Sequence, residues 1–210
     1  MPDPADVCVL VPTLDEGETI ADVVGDLHEA GYPNVLVIDG GSTDDTRAKA
    51  EGAGARVVRQ SESGKGQAVR EAVRDHVDRP YVLLLDGDGT YRAADAEAML
   101  APLDEGYEHV VGNRFADMRP GAMTRLNRLG NRLINRAFGL VHGERFEDIL
   151  SGYRAFTRES FERMVLRSDG FGVETEMAVE CVKRGIATTV VPITYLPRPA
   201  GASTNLRPFR

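Results

Sequence analysis

Two carboxylates separated by one glycine, Asp86-Gly87-Asp88, follow the apolar run Tyr81-Val82-Leu83-Leu84-Leu85. Side chains at that spacing repel each other unless a cation lies between them. A hard divalent ion suits the gap, because Mg²⁺ takes one or two carboxylates and completes its shell with substrate phosphates and water. Asp86 and Asp88 are therefore candidate ligands of Mg²⁺ or Mn²⁺, set against the plainer alternative of an Asp-Gly turn with an Asp capping the next helix. More acids gather upstream in the same pattern: Asp15 and Glu16 after residues 7–11 and Pro12, and Asp39 after residues 35–38. A nucleoside diphosphate would use these groups separately. One carboxylate would accept from a base N–H, a metal on Asp86 and Asp88 would neutralise the diphosphate, and Lys65 of Gly64-Lys65-Gly66 would add a point charge. Neither a phosphate loop of the GxxxxGK[ST] kind nor a GxGxxG opening a helix is present, which excludes the Walker and dinucleotide readings.

Apolar runs of four or five residues are too short for helices and read as strands buried on both faces. Residues 81–85 are such a strand; the apolar runs 7–11 and 35–38 also read as strands, and Arg56 to Arg59 as a short one between them and 81–85. Helical patterns separate them, among them Ile20, Val23, Val24 and Leu27, and then Ala68, Val69, Ala72 and Val73. Strands alternating with helices predict an α/β protein with a mainly parallel sheet and right-handed crossovers. In such a sheet the carboxylates at successive strand ends converge on one cleft at the carboxyl edge, where ligands bind. Beyond residue 92 the pattern predicts a helix over 94–103, a strand over 109–112 leading into Asn113-Arg114, and a late strand over 186–193. Residues 118–142 carry Arg119, Arg125, Arg128, Arg132 and Arg136 and no acid. The last four share one side of a helix, beside a stripe of Leu126, Leu129, Leu133, Ala137 and Leu140. Adjoining arginine and leucine stripes suit an anionic membrane surface, the alternative being an amphipathic helix with solvated arginines.

A length of 210 residues suits one domain spanning 1–210. A formal charge of −8 argues against a nucleic-acid partner. Cys8 and Cys181 fall in apolar segments and read as core residues in a reducing compartment. No Cys/His cluster predicts zinc, the first residues lack the pattern of a signal peptide, and no run approaches 18 apolar residues. The expected location is the cytosol or the cytoplasmic face of the cell membrane.

Six segments resemble, in order, those of family 2 glycosyltransferases of the GT-A fold: Pro12-Thr13-Leu14-Asp15-Glu16, Asp39-Gly40-Gly41-Ser42-Thr43-Asp44, Gly64-Lys65-Gly66, Asp86-Gly87-Asp88, Gly112-Asn113-Arg114 and Asp148-Ile149-Leu150-Ser151-Gly152-Tyr153-Arg154. The last four are most similar to the polyprenyl- and dolichyl-phosphate sugar transferases, including dolichyl-phosphate mannose synthase and the archaeal enzymes that begin N-glycan assembly. The resemblance implies a Rossmann-like three-layer sandwich. It implies that Pro12, Asp15, Glu16 and Asp39 line the nucleoside pocket, with Glu16 on the ribose and Asp39 on the base, and that Lys65 faces the nucleotide. Ser42 and Asp44 are expected as caps of the following helix. Arg114 and arginines such as Arg128 and Arg132 would bind an acceptor phosphate. Asp148, Ser151 and Arg154 would border the sugar and acceptor, unless Asp148 merely pairs with Arg154. Glu174 and Glu176 occupy a position near the sugar, with a helix-start role as the alternative. Arg198, Gly201 and Ser203 are similar to the family's closing loop, and Thr204 replaces its usual Lys. Thr90 stands where relatives often have Gln, which leaves a third metal ligand open.

The implied reaction is inverting transfer from a nucleotide-sugar donor, with UDP-glucose favoured over GDP-mannose, to dolichyl or polyprenyl phosphate for protein N-glycosylation. The alternative is a soluble family 2 enzyme acting on a saccharide or small-molecule hydroxyl. That acceptor would need a carboxylate base, for which Asp148 is the first candidate.

Overall fold

The computed structural model describes residues 1–144 and 146–199. Strands β1 (Val7–Thr13), β2 (Val35–Asp39), β3 (Arg56–Arg59) and β4 (Tyr81–Leu84) run parallel to one another. Every residue of β1 and β2 is buried, which is why these strands read as continuous apolar runs and not as alternation. The crossovers pass through α1 (Ile20–Glu29), α2 (Thr46–Gly52) and α3 (Lys65–Glu71), the last continuing as a π turn over Ala72–His76. Helix α1 buries Ile20, Val23, Val24 and Leu27, the apolar stripe of a helix that covers a sheet.

Successive β1 residues point to opposite sides and so feed two cores. Val7, Val9 and Val11 pack with α1 and with Met99 and Leu100 of α4 (Ala96–Asp104). Cys8 and Leu10 pack with Val69 of α3 and with Met177 and Cys181 of α7 (Val173–Arg184). Both cysteines are free, and burial, foremost among its causes, pushes the Cys8 thiol up to about 12, so it behaves as a small apolar residue. The result is the expected three-layer α/β arrangement.

The second half adds β5 (His109–Met118), β6 (Arg154–Thr157) and β7 (Thr188–Tyr195), completing the order β3-β2-β1-β4-β6-β5-β7. β6 lies antiparallel to both β4 and β5, and β5 is parallel to β7. Strand β6 is absent from the sequence-based reading because Arg-Ala-Phe-Thr has neither an apolar run nor clean alternation. Its pairing on both sides makes it a strand. Two proline positions fit the topology: Pro192 lies in the edge strand β7, and Pro12 lies beyond the last β1–β4 pair, Leu10↔Leu84, so neither interrupts a central ladder. Helix α5 (Arg125–His142) starts where Thr124 Oγ1 accepts from Asn127 N at 3.1 Å. It ends at Gly143, whose φ of 74° is left-handed. A short α6 (Arg158–Glu162) precedes α7. Among the described residues no helix is long and apolar enough to cross a membrane.

Candidate active site

The loops after β1 and β2 are stitched together. Asp15 has φ 52°, the one positive φ outside glycine among the described residues, and such a backbone persists where its surroundings over-determine it. Here Asp15 N donates to Ser42 Oγ at 2.9 Å and Asp15 Oδ1 accepts from Thr43 N at 2.7 Å. Glu16 N donates to Thr46 Oγ1 and Gly17 N to Asp44 Oδ2. Asp44 also accepts from Thr46 N at the start of α2, as a cap would, whereas Ser42 joins the two loops and caps nothing. Asp39 is 0 % exposed, and its carboxylate accepts from Gly41 N at 3.1 Å and Ser42 N at 3.2 Å. It builds the floor of the loop, and Arg47 Nε lies 3.6 Å from its Oδ2. Pro12, buried within β1, likewise directs the chain and offers little surface to a ligand.

Glu16 is different. Its Oε2 is buried and has no hydrogen-bond partner among the described residues. Burial first, then the charges of Asp88 and Asp86, push its pKa up to about 9, against the pull of Arg198 and Lys65. A carboxyl raised in the folded state contributes stability that is complete below about pH 4.5 and is lost as pH rises through about 9. The metal-free protein is therefore expected to lose stability between those values, and Glu16→Gln to flatten that slope in urea titrations at successive pH. An identical slope in the variant would remove Glu16 as its source.

Asp86 and Asp88 lie just past β4. Asp86 forms an ion pair with Lys65 Nζ, which also contacts Glu174 Oε1 at 2.6 Å. Burial alone would lower the lysine's pKa, but Asp86 and Glu174 outweigh it and raise the value above the ordinary range. Asp88 is paired with the Arg198 guanidinium and accepts from Thr90 N at 3.1 Å and Thr90 Oγ1 at 2.6 Å. Thr90 thus orients a carboxylate in place of a further ligand. Gly152 closes the cleft from the other side: a Cβ there would stand 2.7 Å from Asp86 Oδ2 and 3.2 Å from Lys65 Nζ.

The donor set fits a divalent ion. Four carboxyl groups, Glu16, Asp86, Asp88 and Glu174, meet two cations, Lys65 and Arg198, and the orphaned Glu16 oxygen marks the excess of negative charge. Among the described residues no three ligating side chains form a cage. Two carboxylates with the remaining positions left to phosphate oxygens and water is the Mg²⁺ pattern.

The 148–154 segment corrects several expectations. Asp148 is 0 % exposed, and it pairs with Arg114, not with Arg154. Arg114 Nε and Nη2 each donate to its carboxylate at 2.8 Å, and Arg114 N adds a third bond at 3.1 Å. A carboxylate so enclosed orients Arg114 and is not placed to take a proton from an acceptor. The Arg114 guanidinium also lies over the Tyr195 ring, 5.3 Å from its centroid. Ser151 and Arg154 are 0 % exposed as well. Glu176 turns away from the cleft and accepts from Arg167 N and Ser168 N; its neighbour Glu174 enters instead. Arg128 and Arg132 are exposed on α5 and form no ion pair among the described residues, so no contact ties them to the cleft. Ser203, with Gly201 and Thr204, lies outside the described residues.

Tyr91 escaped the sequence reading, and its hydroxyl accepts from Gly152 N at 2.9 Å. Only its place three residues after Asp88 hinted at a role.

The fold and these side chains define an α/β protein with an acidic, cation-lined cleft at the carboxyl edge of its parallel strands. The glycosyl transferase family 2 model matches residues 8–165, and the chain belongs to that family. It is a glycosyltransferase of the GT-A fold. It is 72 % identical over 210 residues to Glycosyltransferase AglJ of Haloferax volcanii, covering 100 % of this chain and 69 % of that protein. It is 34 % identical over 208 residues to a dolichyl-phosphate hexose transferase of the same organism, covering 97 % of this chain and 88 % of the relative. Glucosyl-3-phosphoglycerate synthase from Mycobacterium tuberculosis, in complex with Mg²⁺ and UDP, matches with a TM-score of 0.77 at 26 % identity, covering 92 % of this chain and 71 % of that one.

Proposed function

We propose that this protein transfers a hexose from a nucleotide diphosphate donor to dolichyl or polyprenyl phosphate, with inversion, on the cytoplasmic face of the cell membrane. The observation that carries the reading is the convergence of Asp86, Asp88, Lys65, Arg198 and the orphaned Glu16 oxygen on one cleft. Glu16 Oε2 suits a ribose hydroxyl, and Asp15 stands beside it in the same loop. Asp86 and Asp88 would hold Mg²⁺ or Mn²⁺, which supplies charge neutralisation of the departing diphosphate. Lys65 and Arg198, held on those same carboxylates, would meet diphosphate oxygens. UDP-glucose is favoured because the similar solved enzyme carries UDP with Mg²⁺; GDP-mannose is the second donor to test, since a 29 % identical relative is a polyprenol monophosphomannose synthase.

The acceptor phosphate oxygen forms its bond to the anomeric carbon as the bond from that carbon to the β-phosphate oxygen breaks, and the electron pair leaves with the nucleoside diphosphate. A phosphate is already anionic near neutral pH and needs no strong base. The enclosure of Asp148 supports this acceptor over a hydroxyl, for which that residue was the candidate base. Arg114, fixed by Asp148, screens repulsion between the two phosphate groups. The sugar-linked lipid phosphate would then serve a later transfer in protein N-glycosylation.

Helix α5 supports a lipid-borne acceptor. Leu126, Leu129, Leu133, Leu140 and Val141 are 78, 56, 59, 88 and 76 % exposed, beside arginines of the same helix that form no ion pair among the described residues. In flotation with anionic vesicles, Leu129→Glu/Leu133→Glu is expected to lower the bound fraction by at least about tenfold. Equal flotation would remove α5 as the contact.

The test of the function is release of nucleoside diphosphate from UDP- and GDP-sugars with Mg²⁺ or Mn²⁺, with and without dolichyl phosphate. Release that depends on the lipid phosphate is expected. Release indifferent to it would redirect the assignment to soluble acceptors.

A further inference from the structure

Arg154 heads the fully buried side chains by volume among the described residues. Enclosing a guanidinium without a carboxylate is costly, and no ion pair offsets it among the described residues. Its donors are taken instead by three neutral acceptors: Ser151 O is 3.0 Å from Nε, Ile149 O is 2.7 Å from Nη2, and His109 Nε2 is 3.0 Å from Nη1. Two of the three belong to one turn, residues 149–152. That turn touches both halves of the cleft. Upstream, Asp148 holds Arg114; downstream, Gly152 lies so close to Asp86 and Lys65 that a single methyl group would not fit.

We infer that Arg154 is a positioning residue for the transfer reaction, a fixed strut that sets the 149–152 turn against Asp86 and Arg114, with His109 as its obligatory neutral acceptor. This role rests on the transferase reading of the cleft. A lysine in its place has one compact charge and no planar fork to span three acceptors. His109 can accept from Arg154 only while Nε2 is unprotonated, which puts the ring proton on Nδ1, an atom with no hydrogen-bond partner among the described residues. The ring is 0 % exposed and stacks on Phe156, centroids 5.8 Å apart. Burial, and then the Arg154 charge, hold its pKa well below the ordinary histidine value. Around the guanidinium, burial works against the charged form, while Glu174 and Cys181 of α7, Asp148 and Tyr91 work for it.

The test compares the wild-type chain with Arg154→Lys, His109→Gln and His109→Phe. For Arg154→Lys, kcat is expected to fall by about 100-fold, since displacement of a supporting element by an ångström has that effect on the reacting geometry, and the donor KM, which depends on Asp86 and Lys65 beside the turn, is expected to rise by less than kcat falls. His109→Gln keeps an acceptor oxygen and is expected within about threefold of wild-type kcat, whereas His109→Phe leaves Nη1 unpaired and should cost about tenfold. His109→Phe preserves the ring and its stacking, so it decides the matter if Arg154→Lys fails to fold. Imidazole ¹⁵N spectra of the wild type, assigned by the signal missing in His109→Gln, are expected to show a neutral Nδ1–H tautomer that persists well below the reference value of about 6.5. The depressed pKa also means that the folded-to-unfolded ratio falls by up to about tenfold per pH unit below about 6.5, a slope that His109→Gln reduces. Wild-type kcat in both Arg154→Lys and His109→Phe, or a His109 that titrates near 6.5, would overturn this role. An inactive wild type would instead sink the transferase reading and leave the spectra to judge the Arg154–His109 pairing.

Discussion

Replacing Asp88 by alanine is expected to lower donor turnover by at least about 1000-fold, because it removes one of two carboxylates that would hold the cation on the departing diphosphate. The side chain is 5 % exposed and carries three contacts, from Thr90 N, Thr90 Oγ1 and Arg198. Losing the Thr90 bonds should cost the fold only about 1–2 kcal/mol, so the variant stays folded while its chemistry is lost. Two readouts separate the causes. Mn²⁺ binding in the presence of UDP, followed by electron paramagnetic resonance, should weaken by at least about tenfold, and turnover should not recover at saturating donor. Normal Mn²⁺ affinity together with normal turnover would mean that Asp88 is only a turn residue.

The second large effect falls on stability. Asp148→Ala strips a buried guanidinium of its bidentate partner, and leaving one charge of such a pair uncompensated costs about 3–5 kcal/mol. For a chain of this size that corresponds to a fall in Tm of roughly 6–20 °C. Arg114 is 8 % exposed and cannot turn to solvent without breaking its packing on Tyr195. The double variant Arg114→Leu/Asp148→Leu should recover most of the lost stability, since replacing a buried pair by apolar groups is often neutral, yet it should remain inactive because the cation is gone. A double variant no more stable than Asp148→Ala would contradict the pairing. Asp148→Asn with unchanged Tm and an activity that returns at high pH would restore the general-base role that the enclosure of Asp148 argues against.

The strands β1, β2 and β4 and the stripe of α1 were legible because each is a local pattern: four or five apolar residues in a row, or Ile20, Val23, Val24 and Leu27 at helical spacing. The amphipathic α5 was legible for the same reason, and its leucines are exposed as the stripe implied. Strand β6 was not, since Arg154–Thr157 becomes a strand only through its partners on either side. The exchange of Glu176 for Glu174 turned on a rotation of two residues at the start of α7, where neither sequence spacing nor charge distinguishes the inner carboxylate from the outer.

The sequence by itself determined an α/β fold with acids at the carboxyl ends of its strands, because turn chemistry and apolar runs act over a few residues; family 2 came from the resemblance of six ordered motifs to that family, and the family model over residues 8–165 agrees. Only the tertiary structure decided which charge answers which. Asp148 meets Arg114 and not Arg154, Lys65 bridges Asp86 and Glu174, Arg198 reaches Asp88, and Arg154 settles on carbonyl oxygens and His109. The partners of Asp148 and Arg154 depend on the antiparallel insertion of β6 between β4 and β5. That insertion carries the 148–152 turn to the mouth of the cleft and turns the Arg154 side chain into the protein, where burial makes each buried charge depend on whatever polar atom lies within reach.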